Sequence, residues 1–204
     1  MDAETPSPLA PGKLYRFAWS FYLGLALAGI VWIGVARRII PLALFVDRER
    51  WWLDLAIGTG AGLLLLGLWS GTGRVSPLAR DLEDRLARLL GPLSFADAMG
   101  LALLSGFAEE LFFRGAVQGS VGWIIATALF GLLHSGPGRA FRLWTLFACL
   151  AGAAFGLLMQ WRGNLLAPMT GHFLVNAVNL YRLGRRADMF GRLAEDDTQN
   201  PTEI

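Results

Sequence analysis

The uninterrupted apolar run from about Phe17 to Ala36, FAWSFYLGLALAGIVWIGVA, limits what this chain can fold into more than any other feature. It carries no charged side chain, and at about 1.5 Å per residue it is long enough to cross a hydrocarbon core of about 30 Å. A second run extends from about Trp51 to Ser70, with Trp51, Trp52 and Trp69 at its ends, where indole rings favour the headgroup boundary. The chain as a whole is 54% hydrophobic and 17% charged, with a mean hydropathy of +0.47. A soluble domain of this length is seldom so apolar, so the bilayer is the solvent for most of the chain. Only helices or a closed barrel satisfy their backbone groups there. The alternating ten-residue strands of a barrel are absent and Leu, Ala and Gly dominate, so the expected fold class is all-α, a polytopic transmembrane bundle.

Residues 1–12 are rich in Pro and polar side chains and are expected to be a disordered lead-in, followed by one transmembrane domain over 13–182 and a polar, disordered tail over 183–204. The first apolar run follows Lys13 and Arg16 and precedes Arg37 and Arg38 with no small-residue cleavage site, so it reads as a retained span. Ile39 to Val46, broken by Pro41, is too short to span and is expected at the interface. Ser76-Pro77 and the following LARDLEDRLARLLG combine a cap, a first-turn proline and leucines on one face, which predicts an interfacial amphipathic helix. Further spans are expected over about 94–118, 120–134, 141–160 and 165–181, giving about six in all. Cys149, the lone cysteine, lies in an apolar run and reads as a small packing residue. GxxxG spacings at Gly58/Gly62 and Gly152/Gly156 suggest close helix contacts.

The net charge of +2 comes largely from arginines in the loops, a pattern of topology that gives no sign of a nucleic-acid partner. With six spans, twelve of the 18 Lys and Arg residues fall on the amino-terminal side and six on the other. The expected location is therefore integral to a bacterial inner (plasma) membrane with both termini cytoplasmic, although four arginines in the first loop resist export.

Ionisable side chains at membrane depth cost about 2.5 to 3.5 kcal/mol each and need a partner or a function. In AEELFFRG, Glu110 and Arg114 are four apart on one helical face and can pair, whereas Glu109 points about 100° away. The chain's two histidines, His134 and His172, lie in the later apolar runs, and Asn176 shares the face of His172. Counting about 1.5 Å per residue, Glu109 lies about 15 Å below the turn near Gly119, His172 about 10 Å, Asn176 about 16 Å and His134 about 22 Å deep. These groups can converge near mid-membrane, where a desolvated carboxylate is a competent base for a bound water and an imidazole and an amide can stabilise an oxyanion.

The set EExxxR (Glu109, Glu110, Arg114), FxxxH (Phe130, His134) and HxxxN (His172, Asn176), in that order over residues 94–181, resembles the CPBP family of intramembrane proteases, also called the CAAX-protease or Abi family. The resemblance implies an intramembrane endopeptidase, with Glu109 as general base, His134 as its partner in activating water, His172 and Asn176 at the oxyanion, and Glu110 with Arg114 in support. It implies a membrane-anchored protein or peptide as substrate, processed at a CAAX-type or carboxy-terminal sorting signal. No residue is singled out for substrate binding.

A metal-free glutamate mechanism is expected because HExxH spacing is missing; the alternative is a zinc site built from His134, His172 and Glu109. Rival classes are a small transporter, in which buried Glu and His relay protons, and a non-catalytic immunity or scaffold protein.

Overall fold

The computed structural model describes residues 13–38 and 40–199, so the expected disordered lead over 1–12 lies outside the described residues. Among them the secondary structure is entirely helical: α1 (Lys13–Arg37), a 3-10 turn (Leu42–Leu44), α2 (Trp51–Val75), α3 (Pro77–Leu90), α4 (Phe95–Glu109), a π-helix (Glu110–Val117), α5 (Gln118–Val121), α6 (Trp123–Leu133), α7 (Arg139–Arg162) and α8 (Leu166–Gln199). The all-α expectation holds. Outward faces carry large apolar side chains such as Val35 and Leu64, each at least three-quarters exposed, a surface suited to lipid and unfavourable in water.

The span count is lower than six. Three helices, Tyr15–Ala36, Trp51–Val75 and Arg139–Arg162, are long and apolar enough to cross, and a fourth arises if Pro77–Leu90 and Phe95–Val121, bent by 104°, count as one broken span. The physical reasons are local. Helix α6 has 11 residues, too few to cross. The expected single helix over 94–118 is α-helical only to Glu109 and then π-helical, and it is interrupted by Glu109, Glu110 and Arg114. Helix α8 continues for 34 residues through the arginines that follow Tyr181. The expected disordered tail is thus corrected: residues 183–199 extend α8, with Ala187 buried and Arg186 paired to Glu83 and Asp84 of α3.

Two further expectations change. The segment around Pro41 is not merely interfacial, since Leu44 is buried in the core and its carbonyl accepts from Leu165 N at 2.8 Å. Helix α3 begins as read, with Ser76 Oγ accepting from Ala79 N and Pro77 in the first turn. Its apolar face, however, meets protein: Leu82 is buried against Trp69 and Ala140.

Helix α8 is the hub, packed on α2, α3, α4 and α7. Glycines permit this closeness. A Cβ on Gly58 would lie 2.3 Å from Ala167 O, and one on Gly62 would lie 2.9 Å from Gly171 O. Gly106 of α4 would meet Phe173 N at 3.1 Å, so α4 and α8 approach closely beside His172. The second GxxxG works differently, because polar side chains of the π-helix and of α5 reach the α7 backbone there: Arg114 donates to Gly152 O at 3.1 Å and Gln118 to Gly156 O at 2.9 Å. Cys149 packs on Gly131, as its reading as a packing residue requires.

The opposite end of the bundle is tied by Asp54, fully buried in α2, which accepts from Arg162 and, at 2.9 Å, from Asn164 Nδ2. These contacts test the fold through glycine. Gly58→Leu should lower thermal stability in detergent by about 1 to 3 kcal/mol through overpacking against the α8 backbone. Gly60→Leu, at a position with nothing within 4 Å, should leave the melting temperature unchanged.

Candidate active site

The close approach of α4 to α8 sets Glu109 and Glu110 beside His172, and the π-helix that begins at Glu110 keeps both glutamates turned inward. Helices of this type are rare and concentrate at functional sites, because the wider turn redirects successive side chains. Here Glu109, Glu110, Arg114 and His172 are all buried.

Glu110 is fixed from two sides. Its Oε1 lies 2.7 Å from His172 Nδ1 and its Oε2 lies 3.1 Å from Arg114 Nε. The guanidinium is held in turn by Gly152 O and stands 4.4 Å over the Phe130 ring. The imidazole of His172 stacks on Phe155, with ring centroids 5.4 Å apart. Glu110 therefore belongs to a three-membered network with Arg114 and His172, not only to the pair expected from the four-residue spacing.

Glu109 faces the other imidazole. Its Oε2 lies 3.7 Å from His134 Nε2 and 3.9 Å from His172 Nε2, and among the described residues this buried oxygen has no hydrogen-bond partner. His134 caps α6 and is partly exposed; its Nδ1 lies 2.7 Å from Phe130 O. A carbonyl only accepts, so Nδ1 carries the proton and Nε2 is the atom turned toward Glu109. Asn176 donates from Nδ2 to Ser105 Oγ at 2.9 Å, leaving its second N–H available.

Glu109, His134, His172 and Asn176 all line one cavity of about 610 Å³. Its walls are mostly apolar, with Trp69, Trp144 and Phe147 among them, and it runs along α8 to Arg182 and Arg186 below the α3 helix. Four side chains expected from three separate runs of sequence are thus brought together, and Glu110 with Arg114 supports them from behind. Sequence reading missed Ser105, Tyr22, which lines the same cavity, and the aromatic packing by Phe155. Ser105 sits one turn before Glu109 on the helix face toward α8, and that spacing was available as a signal.

A zinc ion would need Glu109, His134 and His172 each about 2 Å from a single point. Among the described residues no group of three His, Cys, Asp or Glu side chains is arranged to hold a metal ion.

The network makes a stability prediction. Arg114→Met leaves Glu110 buried with only His172 opposite and should destabilise the protein by about 3 to 5 kcal/mol. Adding Glu110→Gln to that variant should recover part of the loss, because it removes the uncompensated charge. Thermal denaturation of the single and double variants in detergent checks this; additive losses would contradict it.

Residues 91–178 match the family model of type II CAAX prenyl endopeptidase Rce1-like proteins. Over 80 residues the chain is 42% identical to the uncharacterized protein YpbD of Bacillus subtilis (strain 168), an alignment that covers 38% of this chain and 41% of that protein. The chain thus spans about two fifths of the length of the curated relative it matches. No solved structure matches. The matched segment, under half of the chain, includes every residue of the three polar motifs, and over that segment the chain is similar to the Rce1-like family.

Proposed function

We propose that this protein is an intramembrane endopeptidase that hydrolyses a peptide bond of a membrane-anchored substrate with a water activated by Glu109 and His134. The observation that carries this reading is the convergence of Glu109 Oε2 on His134 Nε2 and His172 Nε2, at 3.7 and 3.9 Å, inside a cavity with mostly apolar walls. Glu110 is tied to His172 and Arg114 at 2.7 and 3.1 Å, whereas Glu109 has no polar atom closer than 3.7 Å among its ion-pair contacts. Glu109 instead presents a bare carboxylate oxygen to the space where a substrate would lie.

The chemistry follows from donors and acceptors. A water between Glu109 and His134 donates one hydrogen to each, and both hydrogen bonds orient its lone pair toward a carbonyl carbon. As the water oxygen attacks, Glu109 takes its proton and the carbonyl electron pair moves onto oxygen. That oxyanion needs donors. Asn176 supplies its free N–H. His172, whose Nε2 faces the same cavity 3.9 Å from Glu109, is the second group at that position. Collapse of the tetrahedral intermediate expels the amine, which leaves with the proton held by Glu109. One water is consumed and one acid and one amine are released.

Substrate class and placement rest on the family. The matched model describes a CAAX prenyl endopeptidase, which supports a substrate carrying a CAAX-type or carboxy-terminal sorting signal. Counting the bent pair as one span gives four crossings and keeps both termini on one side, in keeping with the expected placement of both in the cytoplasm of a bacterial inner membrane; three crossings would put them on opposite sides. The cavity runs toward Arg182 and Arg186, which suits a substrate entering from the face on which those arginines lie.

Glu109→Ala and His134→Ala should each lower cleavage by about 10² to 10⁴-fold while the protein still folds. A scaffold would keep its phenotype with both replaced. Comparing carboxy-terminal peptides of the membrane proteome with and without the protein should show an accumulated uncleaved precursor in its absence; no shifted peptide would count against proteolysis. Activity should survive chelation, and stoichiometric zinc with chelator-abolished cleavage would overturn the metal-free mechanism.

A further inference from the structure

We propose that Asn179 binds the backbone of the substrate about three residues from the scissile bond, a reading that rests on the protease function above. Asn179 follows Asn176 by three positions on α8 and lines the same cavity, on the side leading away from His172. It lies one residue beyond the segment matched by the family model, so nothing in that match assigns it a role. Its polar neighbours on the helix are occupied, Asn176 by Ser105 and Arg182 by Ser70. Between them, the Asn179 side chain makes no hydrogen bond among the described residues, although it is half-buried in a cavity with mostly apolar walls.

With no protein partner, this half-buried carboxamide faces the open cavity and is available to a ligand that displaces water from it. The chemistry of the group names that ligand. A carboxamide donates and accepts at once, which matches the C=O and N–H of a peptide backbone. The cavity lining also includes Trp69, Leu101 and Phe147, which suits apolar side chains projecting from an extended segment. Position follows from rise. Seven residues of α8 separate Asn179 from His172, about 10 Å along the axis. An extended peptide advances about 3.3 Å per residue, so Asn179 meets it about three residues from the bond being cut, on the side facing the cavity mouth.

The test uses the full-length protein in lipid nanodiscs and a fluorescence-quenched, lipid-anchored peptide that the wild type cleaves. Asn179→Leu keeps the side-chain size and removes both hydrogen-bonding functions. It should raise KM about five- to tenfold with kcat nearly unchanged, the signature of lost uniform binding, whereas Asn176→Ala should lower kcat. N-methylating the peptide amide three residues from the bond should raise the wild-type KM by a similar factor and add little to the effect of Asn179→Leu. Should that variant fail to fold, Asn179→Ala carries the same comparison.

Wild-type KM in a folded Asn179 variant would overturn the inference, as would a lowered melting temperature with full sensitivity to N-methylation. Either result can occur while Glu109→Gln is inactive, which leaves the protease reading standing. An active Glu109→Gln would instead sink the protease reading itself.

Discussion

His172 held between two consecutive glutamates is the interaction on which the rest of the site depends. Its Nδ1 lies 2.7 Å from Glu110 and its Nε2 faces Glu109 at 3.9 Å, so one ring links the Glu110–Arg114 network to the Glu109 carboxylate. Arg114 closes that network behind Glu110, and both are essentially without solvent contact. Buried charges of this kind contribute little net stability, and removing one partner is far more damaging than never having had the pair. Their value here is positional: they hold an imidazole and a carboxylate in one orientation within an apolar bundle.

That arrangement requires helices closer than ordinary side chains allow. Gly106 lets α4 lie against the α8 backbone beside His172, and Gly58 and Gly62 seat α8 on α2 from the other side. Gly152 and Gly156 open the α7 backbone to Arg114 and Gln118. The π-helix supplies the remaining adjustment, turning Glu110 onto His172 while Glu109 stays on the cavity. Small residues, one irregular helix and one buried ion network thus act together to place a carboxylate near two imidazoles.

Much of this was legible in the sequence. Charged or titratable residues inside apolar runs stand out because the bilayer penalises them, and spacing alone paired Glu110 with Arg114 and stacked His172 with Asn176. What escaped the sequence has physical causes. A π-helix has no hydrophobic period of its own, so Glu110 to Val117 reads as the continuation of α4. The end of α6 at Leu133 depends on a loop that turns at His134 in place of crossing, and composition does not reveal that. The arginines after Tyr181 suggested a solvated tail, but Arg186 pairs with Glu83 and Asp84 and the helix carries on. Asp54 was passed over inside its apolar run, although the same penalty that marks Glu109 required it to have partners, found in Arg162 and Asn164.

The central claim is that Glu109 acts on water and does not itself attack the substrate. Turnover in ¹⁸O-labelled water, followed by mass spectrometry of both the cleaved product and the proteolytic fragment containing Glu109, addresses this directly. The account predicts ¹⁸O in the new carboxylate of the product and none in Glu109. Label accumulating in the Glu109 carboxylate over many turnovers would mean that an acyl anhydride forms on that side chain, and would contradict it.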